Sequence, residues 1–392
     1  MSGNDHPGIT SQLTGILAQG QATILDIGQA VIHGLLSLSI LFQLKPEDEQ
    51  DKTVIKDLLF KATELGLKLE FQVLGLDEFR EARESAQSYR YALTLIGEQV
   101  TATALHEVTA VLAKFGLNID RIQRLSDSGF SCVELLVSST RAVDQSAMKK
   151  QLLQIAQNQA VDVALQAEGL FRRAKRLVVF DMDSTLIRNE VIDELARERG
   201  VYDEVSAITH AAMKGQMNFD QSLSERCAKL KGANAADFEK VFARIEITPG
   251  AIEMFQVLRR LGYKTALISG GFTFVADRLK EKLGIDYVYA NQLEVVGGAV
   301  TGKVFPPIIN AQRKADLLEV IAQQERISLD QVIAVGDGAN DLLMLEKAGL
   351  GIAFNAKPLV SAQAKLSLNQ KNLRSIFYLL GLSGRDVAEA ML

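Results

Sequence analysis

The sequence has little of several residue types that mark specialised classes of protein. Its 392 residues include no tryptophan, four histidines and two cysteines. Cys132 and Cys227 are far apart in the sequence, so they indicate neither a disulfide framework nor a zinc site. The net charge of −5 and the lack of a basic stripe argue against nucleic acid as a partner. We therefore expect a protein of the reducing cytoplasm.

Long apolar runs are also lacking. The segment from Ile27 to Leu44 carries no Asp, Glu, Lys or Arg, but polar residues interrupt it and its second half alternates between apolar and polar. Such alternation is typical of strands, and His33-Gly34 lies where a hairpin turn would fall. We expect two strands there rather than a membrane span. The first five residues carry no positive charge, so we expect neither a signal peptide nor a membrane partner.

What the sequence does contain begins with an internal repeat. Residues 5–73 combine a helical stripe, two strands near 23–32 and 35–44, a second helix and a closing strand at 67–73. Residues 90–167 repeat this order, which predicts two copies of one small α+β unit.

Two charged stretches separate the predicted units, and the length of the chain predicts two to three domains. Residues 74–89 are charged and polar, which is typical of a linker. Residues 169–176 contain Arg172, Arg173 and Lys175. We expect this basic run to be a solvated hinge rather than a nucleic-acid site.

Each repeat resembles an ACT domain, the βαββαβ module that binds amino acids in regulated metabolic enzymes. The first copy has a loop of the family's type before its first helix, whereas the second copy lacks Pro-Gly at that place. The resemblance implies L-serine as an expected effector of the ACT-like domains, although binding of another amino acid, or dimerisation alone, stays open. The implied regulatory ligand loop contains Asn4, Asp5, His6 and Gly8.

The first copy departs from the family pattern, because no strand is expected before Asn4. Its first strand would then be missing, and its sheet would expose an edge or borrow a strand from a partner subunit. We expect a homodimer.

Two carboxylates follow a strongly apolar run in the second half of the chain. Leu177–Phe180 is typical of a strand buried on both faces, and Asp181 and Asp183 come directly after it. Ligands of open α/β sheets bind at the carboxyl ends of the strands. Two carboxylates this close repel each other unless a divalent cation neutralises them or one is protonated. Asp-x-Asp alone would fit a solvated loop, but Asp-x-Asp-x-Thr after a buried strand favours a chemical site.

Three further groups follow downstream. A second apolar strand ends in Ser269 and Gly270, Lys314 lies near the start of a helical pattern, and a third strand leads into a glycine-rich acidic loop. Taken alone, Lys314 would be a solvated helix lysine. The four stretches together resemble the motifs of the haloacid dehalogenase-like phosphatase superfamily, and the resemblance extends from Lys175 to about Leu380. The acidic loop supplies Asp337, Asn340 and Asp341.

The fold implied by this resemblance is α/β: a Rossmann-like parallel sheet with a helical cap, preceded by the two α+β ACT-like domains. Residues 188–248 show only helical periodicity and lie where the superfamily carries its small cap. Strands and helices then alternate, as in a parallel sheet covered on both faces, apart from a β-hairpin expected at 293–304. The expected domains are 1–75 and 88–168 for the ACT-like units and 175–392 for the phosphatase.

The chemistry implied by the resemblance is phosphoryl transfer with Mg²⁺ as the cofactor. Asp181 would be the nucleophile that forms an aspartyl phosphate, and Asp183 the general acid and base. Asp181, Asp337 and the backbone carbonyl of Asp183 would bind the metal, while Asp341 would orient Asp337 or waters. The groups expected to bind the phosphate and the rest of the substrate include Ser269, Gly270, Lys314 and Asn340.

Within the superfamily, Asp-Met-Asp-Ser-Thr-Leu-Ile resembles the motif of the phosphoserine phosphatases. That likeness implies that Glu190 binds the substrate ammonium and that Arg226 forms a bidentate pair with the substrate carboxylate. It also implies that Met213 and Phe219 close over the substrate. Each residue also has an ordinary interpretation: an acid at a helix start, a surface ion pair, or packing within a helical bundle.

The implied reaction is hydrolysis of O-phospho-L-serine to L-serine and phosphate, the last step of serine biosynthesis. Two alternatives stay open. One is a phosphotransferase or phosphatase acting on another small phosphomonoester. The other is an amino-acid sensor with a vestigial catalytic domain.

Overall fold

The computed structural model describes residues 1–44, 50–75, 89–126, 129–213 and 215–392, with the backbone alone for residues 50–52 and Met213. The chain divides into two compact units, Met1–Ala86 and Gln87–Leu392. Most of the linker predicted at 74–89 lies outside the described residues. No helix within these ranges is long and apolar enough to cross a membrane.

The first unit is a three-stranded antiparallel sheet packed against two helices. Its elements are β1 (Ser2–Asn4), α1 (Ile9–Gln19), β2 (Thr23–Ile32), β3 (Leu35–Gln43) and α2 (Gln50–Glu64), and the strand order is β1-β3-β2. The predicted hairpin pairs along its length, from Thr23 opposite Gln43 to Ile32 opposite Leu35. Apolar residues at helical spacing in α1 pack against alternate residues of β3. These residues are Ile9, Leu13, Leu17, Leu36 and Leu38.

Two expectations for this unit are wrong. The first strand is not missing, because β1 pairs antiparallel with β3 at the edge of the sheet. Three residues are too few for an alternating pattern to reveal a strand in the sequence. The closing strand expected at 67–73 is reduced to one bridge between Lys68 and Ser2. The strand with which it would pair, β1, is only three residues long.

The second repeat is a four-stranded antiparallel sheet packed against two helices, in the strand order β5-β6-β4-β7. Its elements are β4 (Tyr89–Gly97), α3 (Ala102–Lys114), β5 (Asn118–Arg124), β6 (Ser131–Ser139), α4 (Gln145–Gln159) and β7 (Asp162–Ala167). Thr101 caps α3 and Asp144 caps α4, because each side chain accepts a hydrogen bond from a backbone N–H of the first turn. The βαββαβ order predicted for an ACT domain is confirmed in this copy.

The remainder of the second unit is built on one large sheet. Its strands are β8 (Leu177–Phe180), β9 (Lys264–Phe272), β10 (Tyr287–Val296), β11 (Ala299–Phe305), β12 (Val332–Gly336), β13 (Leu350–Phe354) and β14 (Leu366–Leu368). They lie in the order β11-β10-β9-β8-β12-β13-β14 and pair in parallel except for β10 with β11. The hairpin expected at 293–304 therefore extends the sheet edge, because β10 pairs with both β9 and β11. The predicted α/β class with a parallel sheet is confirmed.

Helices cover this sheet and form the segment predicted to be the cap. In the described part of 188–248 the regular elements are all helices: α6 (Val191–Arg199), α7 (Tyr202–Met213), α8 (Phe219–Lys229) and α9 (Asp237–Ala243). The other helices after β8 are α10 (Ala251–Arg260), α11 (Thr273–Leu283), α12 (Ala311–Gln324), α13 (Leu342–Lys347), α14 (Pro358–Gln363), α15 (Ser375–Leu379) and α16 (Gly384–Met391).

The second repeat and the large sheet share one hydrophobic core. Ile96 and Cys132 of the repeat belong to the same buried cluster as Phe377 and Leu379 of α15. Hydrogen bonds also join the second repeat to the rest of this unit. The buried Asp162 carboxylate accepts from the backbone and side chain of Asn369 at 2.8 Å. The second unit is therefore one packed body.

The solvated hinge expected at 169–176 is wrong. Leu170–Arg173 forms a single helical turn, α5, and Arg172 and Lys175 are only 4% and 6% exposed. Arg172 forms ion pairs with Glu134 and Glu168. The sequence hides this burial, because the acid that neutralises Arg172 from β6 lies 38 residues earlier.

Candidate active site

Three neighbouring parallel strands bring the predicted catalytic groups to one edge of the sheet. Asp181 follows β8, Ser269 lies near the carboxyl end of β9, and Asp337 follows β12. The register aligns Phe180 of β8 with Leu267 of β9 and with Val335 of β12, so the three strand ends meet at the position expected for a ligand site.

A compact acidic cluster lies at this edge. Ligand oxygens of Asp181, Asp337 and Asp341 all lie within 4.8 Å of one another. The Thr185 hydroxyl donates to Asp337 at 3.0 Å, and the Gly338 backbone N–H donates to Asp341 at 3.0 Å. Hard carboxylate oxygens in this arrangement suit Mg²⁺. The structure thus brings Asp341, expected in a supporting role, to within 4.8 Å of the two carboxylates expected as metal ligands.

Lys314 is fully buried against this cluster and is not a solvated helix lysine. Its Nζ lies 2.8 Å from Oδ1 of Asp181 and 2.7 Å from Oδ1 of Asp341. The helix α12 positions it, with Asn310 as the N-cap whose side chain accepts from Arg313 N–H. Burial lowers the pKa of Lys314, but the two carboxylates outweigh this and raise the pKa above its ordinary value. Lys314 therefore carries a fixed positive charge in the site.

The cluster holds more negative than positive charge. Burial raises the pKa of Asp337 to about 7, and the charges of Asp341 and Glu190 contribute to the increase. Burial and the Asp341 charge likewise raise the pKa of Asp181, against the opposing effect of Lys314. Three carboxylates against one ammonium leave a surplus that a divalent cation would offset.

Asp183 lies in a tight turn, Met182–Leu186, in which Ser184 adopts a left-handed backbone conformation with φ of 55°. The turn places Asp183 at the start of α6, where its Oδ1 accepts from Val191 N–H at 3.1 Å. Burial raises the pKa of Asp183, and Glu190 and Asp181 raise it further. A carboxyl group with a raised pKa is suited to donate a proton near neutral pH.

Residues at the carboxyl end of β9 form a close-packed wall of the site. Ser269 is fully buried, and its Oγ accepts from Gly271 N–H at 2.8 Å. The Asn291 side chain donates to the Gly270 carbonyl at 2.8 Å and fixes this end of β9. A β-carbon on Gly270 would lie 2.9 Å from Cζ of Phe219. The ring of Phe219, predicted to close over the ligand, therefore packs directly on this end of β9.

Two charged cap residues flank the site. Glu190 immediately precedes α6, and it accepts a hydrogen bond from the Ser184 hydroxyl at 2.8 Å. Arg226 is half-buried on α8, where its Nε donates to the Ser222 carbonyl at 3.3 Å. Among the described residues no carboxylate forms an ion pair with Arg226. Burial lowers its pKa, while nearby charges that include Glu190 and Asp193 oppose that effect. The described hydrogen bond of Arg226 uses its Nε, which leaves its terminal N–H groups available to a ligand.

Two contacts that sequence reasoning missed help to build the site. Asn310 Nδ2 donates to both carboxylate oxygens of Asp220, on α8, at 3.1 and 3.3 Å, and so joins the core to the cap. The helix-capping pattern could have revealed Asn310, but its partner is 90 residues away. Thr185, the threonine of Asp-x-Asp-x-Thr, has no role assigned from the sequence, although it binds Asp337. Asn340 lies half-buried in the acidic loop, and the Met213 side chain lies outside the described residues.

The predicted regulatory loop belongs to the first unit. Gly8 is the N-cap of α1 and has a φ of 96°, a left-handed conformation that favours glycine. Asn4 ends β1, Asp5 N–H donates to the Gly34 carbonyl at 2.8 Å, and His6 is exposed. The loop is therefore ordered by the sheet and leaves its side chains accessible.

Comparisons with known families agree with this architecture. Residues 178–346 match the haloacid dehalogenase-like hydrolase family. Residues 1–72 and 90–166 each match an ACT domain family.

Individual relatives cover from about half to nearly all of the chain. A protein of Streptomyces coelicolor named phosphoserine phosphatase is 40% identical over 389 residues, which are 99% of this chain and 92% of the relative. A haloacid dehalogenase family hydrolase of Salmonella enterica, solved by crystallography, is 31% identical with a TM-score of 0.67, over 74% of this chain and 98% of that one. A phosphoserine phosphatase structure described as a phospho-aspartyl intermediate analogue is 46% identical with a TM-score of 0.50. The match covers 52% of this chain and 98% of that one. The chain is an enzyme that belongs to the phosphoserine phosphatases, a family of haloacid dehalogenase-like hydrolases, and it carries two ACT domains at its N-terminal side.

Proposed function

We propose that this enzyme hydrolyses O-phospho-L-serine to L-serine and phosphate with Mg²⁺ as the cofactor, the last step of serine biosynthesis. The observation that carries the proposal is that the site combines two sets of charged residues. Asp181 and Lys314 lie at the carboxyl end of the sheet, and Glu190 and Arg226 lie in the cap. The first pair suits a phosphate group under attack. The second pair matches the ammonium and carboxylate groups of an amino acid.

The hydrogen bonds of Asp181 indicate which of its oxygens attacks. Its Oδ1 accepts from Met182 N–H at 2.7 Å and lies 2.8 Å from Lys314 Nζ. In the described structure both contacts use Oδ1, which supports Oδ2 as the proposed nucleophile. Its lone pair forms a bond to phosphorus while the bond from phosphorus to the serine oxygen breaks, which leaves an aspartyl phosphate.

Asp183 supplies and removes the protons. Its raised pKa favours the protonated carboxyl group, and this proton would pass to the departing serine oxygen. The resulting carboxylate then takes a proton from the water that attacks phosphorus and releases Asp181. One residue thus serves as acid in the first half of the reaction and as base in the second.

Other residues balance charge on the phosphate. Asp181 and Asp337, with the backbone carbonyl of Asp183 by family resemblance, would hold Mg²⁺, which supplies positive charge to the phosphate oxygens. Asp341 keeps Lys314 in position through the 2.7 Å contact. Ser269 and the Gly270 N–H are suited to donate to phosphate oxygens, and Asn340 lies in the neighbouring loop.

A panel of small phosphomonoesters, assayed for phosphate release with Mg²⁺, tests the proposal. We expect phosphoserine to have the highest kcat/KM. Assays with added acceptor alcohols separate hydrolysis from phosphotransfer, since transfer would consume substrate without releasing an equal amount of phosphate. Absence of turnover on every ester would instead support the vestigial sensor.

We further propose that L-serine acts as an effector at the ACT domains of a homodimer. The support is the match of both repeats to ACT families and the accessible loop at Gly8. Coupling of about 1–3 kcal/mol between the effector and the substrate is typical. In the full chain, Gly8→Val should weaken inhibition by serine, because the branched side chain strains the left-handed conformation at φ 96° and fills the loop.

A matched glycine provides the control. Gly28, in β2 of the same unit, has open space where a β-carbon would lie and no positive φ. Gly28→Val should therefore keep the serine response. An unchanged response in Gly8→Val, with normal turnover of phosphoserine, would remove the first-repeat loop from the proposal.

A further inference from the structure

A cavity lies at the amino ends of the parallel strands of the large sheet, whereas the active site lies at their carboxyl ends. Its volume is about 400 Å³, a size typical of small-molecule sites. Lys175 before β8, Leu350 at the start of β13 and Leu366 at the start of β14 line one wall. The other walls come from α4 and β7 of the second repeat and from α5. All of these elements belong to the second unit, Gln87–Leu392.

Three lysines converge on this cavity and are held by neutral oxygens. Lys175 Nζ donates to the Asp330 carbonyl at 2.6 Å, and Lys149 Nζ donates to the Lys365 carbonyl at 3.3 Å. Lys365 Nζ donates to two backbone carbonyls at 2.7 and 2.8 Å. In the described part of the chain no carboxylate forms an ion pair with any of the three. Backbone contacts fix the ammonium groups without neutralising them.

The remaining charged groups of the lining do not supply the missing negative charge. Glu168 forms ion pairs with Arg172 and Arg173. Of the carboxylates that line the cavity, Asp330 then has no ion pair with a described residue. Arg172, whose side chain is buried, also lines the cavity, and its Nε–H has no hydrogen-bond partner in the described structure. A buried donor of this kind is normally satisfied. The lining therefore has surplus positive charge and an unused donor.

Burial, together with the charge of Lys365, lowers the pKa of two of these lysines. Burial lowers the pKa of Lys175 to about 8 against the charge of Asp330, and Lys365 contributes to the decrease. Burial and Lys365 also lower the pKa of Lys149. A bound anion would reverse both effects, because it stabilises the charged form of each ammonium group.

We propose that this cavity binds a small organic dianion, a phosphate ester or a dicarboxylate, through the ammonium groups of Lys149, Lys175 and Lys365. The apolar part of the lining, which includes Leu165 and Leu366, contacts the carbon skeleton of that ligand. The cavity is too large for a bare oxyanion to fill, which favours an organic ligand. The site is separate from Asp181 and lies where the second repeat meets the catalytic core.

The absence of tryptophan from the sequence makes this site directly observable. Phe171 lines the cavity and is 42% exposed, so Phe171→Trp in the full chain places a single indole at the cavity. We would titrate this variant with sulfate and with malonate in metal-free buffer, at ionic strength held constant with chloride. Sulfate represents a phosphate dianion and malonate a dicarboxylate. The indole emission reports this cavity rather than the active site.

We expect a saturable change in emission with at least one probe, and the stronger probe identifies the chemistry of the anion. Adding Lys175→Met should weaken binding by roughly 10- to 100-fold, as for loss of a charged hydrogen bond. Affinity should also fall from about pH 7 to about pH 9, because Lys175 loses its proton near pH 8 while both probes keep their charge. Addition of either probe should leave the emission of a Phe171→Trp, Lys149→Met, Lys175→Met variant unchanged.

Lys280→Met is the matched control, since Lys280 is exposed on α11 and does not line the cavity. It should bind both probes as the parent does. Far-ultraviolet circular dichroism and the thermal midpoint check that each variant folds; if Lys175→Met does not, Lys149→Met alone carries the test, because Lys149 is only half-buried. Absence of a saturable signal with both probes, or equal affinities for the cavity variants and Lys280→Met, would overturn the proposal.

Discussion

Arg226→Ala should change substrate choice more than catalytic chemistry. Arg226 lies on the cap helix α8, and the described contacts use only its Nε. Its two terminal NH₂ groups can therefore form a bidentate pair with a substrate carboxylate. Removing the guanidinium leaves that carboxylate enclosed without a partner, while Asp181 and Lys314 are untouched.

The magnitude follows from the burial of the pair. Loss of one partner of an enclosed, hydrogen-bonded charge pair costs about 2–5 kcal/mol, which corresponds to roughly 30- to several-thousand-fold in kcat/KM. Arg226 is half-buried rather than fully buried, which favours the lower half of that range. Arg226→Lys should fall between the parent and Arg226→Ala, because it keeps the charge and loses the planar fork.

The assay compares two esters that differ in one group. Phosphoethanolamine has the phosphate and the ammonium of phosphoserine but lacks the carboxylate, so its kcat/KM should change little in Arg226→Ala. Lys229→Ala is the control on the same helix, since Lys229 is exposed and pairs with Glu204 at 2.7 Å. Equal losses on both esters would show that Arg226 supports the cap and does not bind the carboxylate.

Three further outcomes are expected. Asp181→Asn should retain the fold, because it is nearly isosteric, and reduce turnover at least about a thousandfold; turnover within tenfold of the parent, or a phosphoenzyme trapped from labelled substrate, would exclude Asp181 as nucleophile. Chelation of Mg²⁺ should abolish phosphate release, and re-addition should restore it; undiminished turnover after dialysis against chelator would contradict the cofactor assignment. Arg172→Ala should destabilise the second unit by about 3–5 kcal/mol, since it leaves Glu134 buried and unpaired. Arg173→Ala, whose side chain is 60% exposed, should cost at most about 1 kcal/mol, and similar urea-unfolding curves for the two variants would refute the argument.

The parts of the fold that follow from local patterns were predictable from the sequence. Leu177–Phe180 is apolar throughout because both faces of a central parallel strand are covered. The hairpin of β2 and β3 was evident from alternation on either side of His33-Gly34. Local patterns failed where an element is very short, as in β1, whose three residues carry no period.

Side-chain partners across the chain could not be predicted in the same way. The basic run at 169–176 indicated solvent because a sequence does not show that Glu134 faces Arg172. Likewise, the order of motifs favoured a catalytic Lys314, but its contact with Asp341 depends on the meeting of α12 with the loop after β12. Residue types and order indicate the chemistry, while tertiary packing decides the partners.

The core shared by the second repeat and the catalytic sheet also constrains how the protein is made. Ile96 and Cys132 leave the ribosome long before Phe377 and Leu379, yet all four residues pack in the same cluster. Chains of this size often fold progressively from the N-terminus during synthesis. Here the second repeat must keep an apolar face uncovered until α15 has emerged. Truncations that remove α15 and α16 should therefore be recovered as chaperone-bound or aggregated chains rather than as shorter folded enzymes.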